Sequence, residues 1–294
     1  MATTARSQVN GVDFAYLEDG PAGGPLALCL HGFPDHAPTF EALLADLAAA
    51  GFHAVAPWMR GYAPTAVPAD GRYQSGALAG DALALADALA GDGPAVLVGH
   101  DWGAVAGYSA VAHRPERFSR LVVLAVPHRV AMAGHFLTPA QLKRSWYMFF
   151  FQLPVAEMAV AADDFALIDT LWHDWSPDYT PPAGYLRAVK DTLGSPGSLE
   201  AALGYYRHLW NPAHHDPALA AVESQSMSYI PVPTLYLHGA DDGCVGSELV
   251  VPEEMAALFP KGVEIEIVPG AGHFLHLEQP EIVNRRIVEF LARS

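Results

Sequence analysis

The stretch that most constrains the fold of this chain is residues 95–103, AVLVGHDWG. Its first residues are small and apolar, which predicts a short buried strand, and the small residues after Gly103 predict a helix. Asp101 stands between them in a small-x-acid-x-small spacing. A turn this sharp strains the backbone of its middle residue, and flanking glycines leave room for neighbouring backbone. The sequence therefore predicts an aspartate side chain presented at the edge of a sheet.

The composition predicts a folded chain with a large core, since hydrophobic residues make up 51% and charged residues 16% of its 294 residues. The formal net charge is −16 and no basic run occurs, so nucleic acid and anionic membranes are not expected as partners. The start of the chain lacks a signal pattern, and no apolar run reaches the about 18 residues of a membrane span. We therefore expect a cytoplasmic location. Cys29 and Cys244 are predicted to be buried, reduced thiols.

Strand and helix patterns alternate through the first part of the chain. The Asn10-Gly11 turn signal predicts a hairpin over residues 8–18. Continuous apolar runs separated by amphipathic helices are typical of a parallel sheet with helices on both faces. We therefore predict an α/β fold with a mostly parallel central sheet. The predicted strands lie at residues 26–30, 53–57, 95–99 and 121–126, and the predicted helices run from residue 40 to a stop at Gly51, over residues 77–90 and after residue 103.

The alternation stops between about residues 129 and 228. Aromatic segments such as SWYMFFFQLP and LWHDWSPDYTPP are broken there by proline and glycine, and no strand-helix unit is evident. We interpret residues 129–228 as an all-helical insertion that forms a cap, or lid, over the sheet. Residues 1–128 and 229–294 would then form one core domain. Its α/β pattern resumes with predicted strands at residues 232–238 and 263–268, a helix ending near residue 258 and a last helix over residues 280–292.

Four loops are expected at the carboxyl ends of the predicted strands, where open α/β sheets bind ligands. They contain HGFP at residues 31–34, Asp101, GADD at residues 239–242, and GAGH ending at His273. A nucleophile, then an acid, then a histidine is the chain order of a hydrolase built on this type of sheet. Asp101 and His273 are therefore candidate catalytic residues, and Asp241 and Asp242 compete for the role of the acid.

From about Gln8 to its end, the chain resembles the epoxide hydrolases of the α/β-hydrolase fold. HGFP, RGYAPT, GHDWG, the GADD loop and GAGHFLHLEQP all occur in that family in this order. The resemblance implies an α/β-hydrolase fold with a helical cap, an aspartate nucleophile at Asp101 and a base at His273. The spacing in the family selects Asp242 over Asp241 as the acid. The resemblance implies neither a cofactor nor a metal ion.

Two cap segments resemble those that supply lid tyrosines in epoxide hydrolases. SWY before FFFQLP puts the first on Tyr147, and GYYR puts the second on Tyr206, with Tyr205 as the alternative one position away. Phenols suit this role because they donate hydrogen bonds to the oxygen of an opening epoxide. GHDWG is shared with haloalkane dehalogenases, and the indole N–H of Trp102 would suit a leaving halide. A haloalkane dehalogenase is therefore the alternative, and a non-catalytic ligand-binding protein of the same fold is a third, weaker hypothesis.

The resemblance implies a hydrolase that acts on an ether bond through a covalent ester on Asp101. Water activated by His273 would hydrolyse this ester and release a vicinal diol. The backbone N–H groups of Phe33 and Trp102 are expected to form the oxyanion hole. The side chains of Phe33, Trp102 and Phe151 are expected to bind an apolar epoxide, which with water is the expected partner.

Other sequence features carry less information about function. His214-His215-Asp216 is not expected to bind a metal ion, because adjacent histidines in an extended loop diverge. The resemblance also implies a cis peptide bond before Pro34. The sequence is compatible with either a monomer or a homodimer.

Overall fold

The computed structural model describes residues 2–91 and 93–293. Within these ranges, the chain forms an eight-stranded sheet with the strands β1 Thr3–Val9, β2 Val12–Asp19, β3 Leu26–Leu30, β4 His53–Pro57, β5 Ala95–His100, β6 Phe118–Leu124, β7 Thr234–Gly239 and β8 Val263–Val268. Their order is β1-β2-β4-β3-β5-β6-β7-β8. β2 pairs antiparallel with β1 and β4, and the other neighbours are parallel. The predicted α/β class with a mostly parallel sheet is confirmed.

The hairpin and the interior strands follow directly from the sequence pattern. Asn10 and Gly11 have φ values of 48° and 74°, as a two-residue turn between twisted antiparallel strands requires. β3 and β4 have their predicted bounds, and all of their residues are buried. β6 begins earlier than predicted, because Ser119 and Arg120 interrupt its apolar run without interrupting the strand. It also ends earlier, because Ala125 has a φ of 69° that extended backbone does not tolerate.

Helices cover the sheet and fill the long connection between β6 and β7. Those before β6 are α1 Glu41–Ala49, α2 Ser75–Leu89 and α3 Trp102–His113. Those between β6 and β7 are α4 Arg129–Ala133, α5 Pro139–Arg144, α6 Trp146–Phe150, α7 Ala156–Trp175, α8 Tyr185–Gly194, α9 Ser198–Trp210 and α10 Ala220–Ser224. Those after β7 are α11 Pro252–Ala256, α12 Leu275–Glu278 and α13 Pro280–Leu291. Single 3₁₀ turns occur at Ala37–Phe40, Pro115–Arg117, Pro212–His214, Pro217–Leu219, Gln225–Met227 and Ser247–Leu249.

The helix predicted to end near residue 258 is wrong in its extent. The chain instead forms the 3₁₀ turn Ser247–Leu249 and the five-residue α11. Val250 and Val251 between them have extended backbone angles. Pro252 explains the break, because a proline disfavours helical geometry in the residue before it.

The connection between β6 and β7 contains only helical elements and loops in the part that the structure describes. Its last helix, α10, packs against α2 and α3. The Glu223 carboxylate of α10 accepts hydrogen bonds from the Ser75 hydroxyl at 2.7 Å and from the Gly76 N–H at 2.6 Å. The end of the predicted cap domain therefore binds the first turn of helix α2. The division of the chain at residues 129–228 stays a prediction.

The two cysteines and the helix lengths can be compared with the expectations from the sequence. Cys29 and Cys244 are both buried and unpaired, as predicted. Across residues 2–91 and 93–293, no helix combines the length and the apolar character that a membrane span requires.

Candidate active site

Asp101 lies on the sharp turn between β5 and α3. Its φ of 51° and ψ of −115° lie in a region that residues with a side chain rarely adopt. The surroundings explain the two flanking glycines. A Cβ atom on Gly99 would lie 2.4 Å from the carbonyl oxygen of Gly103, and one on Gly103 would lie 1.9 Å from that of Leu30. The strand, strained turn and helix predicted from residues 95–103 are therefore confirmed.

The Asp101 carboxylate is held by the loop that follows β3. Its Oδ1 accepts a hydrogen bond of 2.8 Å from the backbone N–H of Phe33. A Cβ atom on Gly32 would lie 2.2 Å from the same oxygen, so this approach requires glycine. The Phe33–Pro34 peptide bond is cis, as the resemblance implied. Burial raises the pKa of Asp101, whereas His273 and the N–H groups of Phe33 and Trp102 favour its ionised form.

His273 links Asp101 to a second buried carboxylate. Its Nδ1 lies 3.0 Å from Oδ2 of Asp242, and its Nε2 lies 3.8 Å from Oδ2 of Asp101. Nδ1 must carry the proton, because an ionised carboxylate can only accept. Asp242 Oδ1 in turn accepts hydrogen bonds from the N–H groups of Cys244 at 2.7 Å and Val245 at 2.9 Å. Asp241 is exposed, so Asp242 is the carboxylate that orients the imidazole.

The surroundings of His273 act on its pKa in opposite directions. Burial lowers the pKa of the imidazole, but the Cys244 sulfur and the Asp242 carboxylate outweigh burial and raise the pKa well above its ordinary value. No described group hydrogen-bonds to Nε2, which is buried beside Asp101. The ring therefore has one oriented nitrogen and one nitrogen free to exchange a proton.

A cavity of about 310 Å³ opens beside Asp101. Tyr147, Tyr206 and Trp102 contribute to its wall, and most of its other lining side chains are apolar. Phe33 and Phe151 are buried but do not line the cavity. Their rings pack edge-on against the Tyr206 ring, with centroids 5.4 and 5.2 Å away. The lining residues are Asp101, Trp102, Val105, Tyr108, Val126, Pro127, Arg129, Met132, Ala133, Phe136, Leu137, Ser145, Tyr147, Met148, Tyr206, Leu209, Trp210, Ser226, Cys244 and Val245.

The three tyrosines considered as lid donors have different surroundings. The Tyr147 hydroxyl lies 3.3 Å from the Cys244 sulfur, and the Tyr206 hydroxyl is buried without a hydrogen-bond partner in the described part of the chain. The Tyr205 hydroxyl donates instead to the carbonyl of Arg60 at 2.9 Å, and Tyr205 does not line the cavity. Burial raises the pKa values of Tyr147 and Tyr206 well above 10, so both phenols keep their protons near neutral pH.

Several contacts around Asp242 and His273 could not be predicted from the sequence. The backbone carbonyl of Trp175, at the end of α7, accepts hydrogen bonds from the N–H groups of Gly243 at 3.1 Å and His273 at 3.0 Å. One carbonyl of the β6–β7 connection thus ties the loops after β7 and β8 together. His100 Nε2 donates to the His273 carbonyl at 3.0 Å and so also holds the loop after β8.

One described cluster has the composition of a metal site. The ligand atoms of Asp242, Cys244 and His273 lie within 4.8 Å of one another. Each of these atoms also has a hydrogen-bond partner, since Asp242 contacts His273, and the Cys244 sulfur contacts Tyr147. The hydrogen bonds account for this arrangement without an ion. The side chains of His214 and His215 contact different groups, Asn211 and the His208 carbonyl.

Comparison with known proteins agrees with this fold. A family model described as alpha/beta hydrolase fold matches residues 25–280. The chain therefore belongs to the α/β-hydrolase-fold family.

Within that family, this chain is similar to several epoxide hydrolases. Epoxide hydrolase 3 of Xenopus tropicalis is 31% identical over 295 residues, covering 97% of this chain and 76% of that protein. Epoxide hydrolase 4 of Homo sapiens is 29% identical over 297 residues, covering 97% and 77%. The crystal structure of epoxide hydrolase A from Mycobacterium thermoresistibile superposes with a TM-score of 0.82 at 26% identity, covering 99% of this chain and 98% of that one. The chain is thus an epoxide-hydrolase-like α/β hydrolase.

Proposed function

We propose that this chain hydrolyses an epoxide to a vicinal diol through a covalent ester on Asp101. The proposal depends on one observation. Asp101, Tyr147 and Tyr206 line a single cavity, and His273 lies next to Asp101 but is not part of the cavity wall. An epoxide is a neutral ether that needs a nucleophile for carbon and donors for oxygen. The cavity offers both kinds of group.

In the first step, Oδ2 of Asp101 attacks an epoxide carbon, because Oδ1 is engaged by the Phe33 N–H. The bond between that carbon and the ring oxygen breaks. Tyr147 and Tyr206 donate to the ring oxygen, and one of them transfers its proton, which it regains from water before the next turnover. An aspartate suits this step because a carboxylate needs no prior deprotonation to attack saturated carbon.

In the second step, water hydrolyses the ester. His273 takes a proton from water through Nε2, and the water oxygen attacks Cγ of Asp101. The negative charge develops on Oδ1, where the N–H groups of Phe33 and Trp102 stabilise it. The bond between Cγ and Oδ2 then breaks, and His273 returns the proton to the leaving diol oxygen. Oδ2 leaves in the diol, and the restored carboxylate keeps one oxygen from water.

The apolar lining favours an apolar body for the substrate. Trp102 would contact it directly, whereas Phe33 and Phe151 support the wall by packing against Tyr206. No step of this mechanism requires a cofactor or a metal ion.

Haloalkane dehalogenation is the second candidate, and Trp102 is the observation that favours it. Its indole nitrogen is buried without a hydrogen-bond partner among the described residues, and its ring lines the cavity. An indole N–H directed at a halide would assist that reaction. The phenols of Tyr147 and Tyr206 at the same cavity favour an oxygen leaving group instead.

Parallel product assays distinguish these functions. We would offer the protein aryl, alkyl and disubstituted epoxides together with haloalkanes of the same carbon skeletons, with Asp101→Ala as the blank. We expect diol from at least one epoxide class and no halide above the blank. Halide release without diol formation would instead assign the site to dehalogenation.

Asp242→Asn is expected to move the pH dependence of ester hydrolysis to lower pH. The wild-type rate should rise with pH as His273 becomes neutral and able to accept a proton. Removing the Asp242 carboxylate removes a cause of the raised pKa of His273, so the rise should come at lower pH. The maximal rate should also fall, because the ring loses its orienting acceptor.

This shift is measured from the decay of the preformed ester in single turnovers across pH. Asp241→Asn, which changes the exposed neighbouring carboxylate, is the matched control and should keep the wild-type midpoint. An unchanged midpoint in Asp242→Asn would contradict the assignment of Asp242.

A further inference from the structure

Arg129 is the only positively charged residue in the described wall of the cavity. It is partly buried at the start of α4, and its Nη1 lies 3.4 Å from the hydroxyl of Ser226, which lines the same cavity. Ser226 is itself buried, with 4% of its surface exposed. The guanidinium group therefore lies at the cavity wall beside a second hydrogen-bond donor.

No described carboxylate forms an ion pair with Arg129. The chain has 32 acidic residues against 16 lysines and arginines, so carboxylates are in excess over cations. A partly buried cation without a counter-ion is stabilised when a ligand supplies the opposite charge. Most other partly or fully buried arginines have such partners, as in the pairs Arg60–Asp81, Arg117–Asp87 and Arg207–Glu157. Partly buried Arg120 instead contacts the Arg293 carbonyl and the Phe290 ring, whereas Arg129 contacts only the Ser226 hydroxyl among the described residues.

The position of Arg129 relative to Asp101 follows from the sheet. Asp101 follows β5 and Arg129 follows the adjacent parallel strand β6, so both lie at the same sheet edge. Apolar side chains, among them Val126, Met132 and Phe136, line the cavity that the two charged residues share. The wall thus has a carboxylate for attack, a cation and apolar surface, which suits a ligand with an apolar body and an anionic end.

We propose that Arg129 and Ser226 bind the carboxylate end of the substrate, so that the preferred substrates are epoxides with an apolar body and a carboxylate remote from the ring. This inference rests on the proposed epoxide hydrolysis. The planar guanidinium group matches a carboxylate with paired hydrogen bonds. The negative charge of Asp101 repels the same carboxylate, which turns the epoxide end of the substrate toward the nucleophile.

The test uses terminal epoxides that carry a carboxylate at the other end of an alkyl chain, in a series of chain lengths, and the methyl ester of each. For the wild type, we expect kcat/KM for the acid to exceed that for its ester by about 10- to 100-fold at the best chain length. Arg129→Met should bring this ratio to about 1, mainly through KM of the acid. Arg129→Lys should retain part of the preference, because the charge remains.

Lys143→Met is the matched control. Lys143 lies on α5, is exposed and does not line the cavity, so the variant loses the same charge and should keep the wild-type ratio. If Arg129→Met does not fold, the wild-type ratio alone remains decisive, and it should fall toward 1 as salt screens the charges.

Equal kcat/KM values for acid and ester in the wild type would overturn the inference, as would a preference that survives in Arg129→Met. Hydrolysis of the esters in either case would leave the proposed function standing. Failure to hydrolyse any epoxide, acid or ester, would instead overturn the proposed function, and the inference with it.

Discussion

His273→Gln is expected to form the Asp101 ester and then fail to hydrolyse it. Attack by Asp101 needs no base, so the first step should stay within about tenfold of the wild-type rate. Hydrolysis does need a base, and a positioned base contributes about 100- to 10,000-fold. Steady-state turnover should therefore fall by a factor in that range, whereas one equivalent of epoxide per active site should still be consumed rapidly.

Intact-protein mass spectrometry measures this result directly, because the stalled protein should gain the full mass of the epoxide. Peptide mapping should place the added mass on the peptide that contains Asp101. His113→Gln, which changes an exposed histidine in the last turn of α3, is the control and should turn over normally without accumulating adduct. Sustained turnover by His273→Gln, or an adduct on another residue, would contradict the role of His273 as the base.

The double variant Tyr147→Phe plus Tyr206→Phe is expected to lose ring opening by about 10,000-fold or more. Loss of one positioned donor at a developing oxyanion costs about 100- to 1,000-fold. Tyr108, the third tyrosine of the cavity wall, does not replace these two, because its hydroxyl donates to the Val126 carbonyl at 3.1 Å. Each single variant should show an intermediate loss. The fold should survive, because the Tyr206 hydroxyl has no hydrogen-bond partner among the described residues and the Tyr147 hydroxyl contacts only the Cys244 sulfur.

Tyr205→Phe is the matched control for this prediction. It removes the hydrogen bond to the Arg60 carbonyl, which should lower the free energy of unfolding by about 1 kcal/mol. Its rate of ester formation should stay close to that of the wild type. The rates are measured from the appearance of the covalent adduct before steady state. Wild-type ring opening in the double variant, or a large loss of ring opening in Tyr205→Phe, would contradict the choice of Tyr147 and Tyr206.

The grouping of Asp101, Asp242 and His273 could be predicted from the sequence for a physical reason. Asp101 and Asp242 follow apolar strands, and His273 follows β8, in which apolar residues alternate with glutamates. The carboxyl ends of these parallel strands lie at one edge of the sheet. The constraint on residues 95–103 was stronger still, because Gly99 and Gly103 pack against backbone in the strained turn. Local sequence and overall topology therefore agree in this part of the chain.

The β6–β7 connection was harder to predict because packing decides what its side chains face. Tyr205 and Tyr206 are neighbours on α9, and successive residues of a helix point in directions about 100° apart. Only the surrounding structure directs one hydroxyl to a backbone carbonyl and leaves the other without a partner. The same limit applies to Phe33 and Phe151, whose apolar character suggested substrate contact but which pack behind Tyr206. Arg129 had no motif around it at all.

The central claim is that Asp101 forms an ester that is cleaved at its own carbonyl carbon. It is tested most directly by a single turnover with enzyme in excess over epoxide in oxygen-18 water, followed by mass analysis of the peptide that contains Asp101 and of the diol. The ester mechanism predicts one heavy oxygen in the Asp101 carboxylate and none in the diol. Heavy oxygen in the diol with an unlabelled Asp101 would mean that water attacks the epoxide directly, and it would contradict the mechanism.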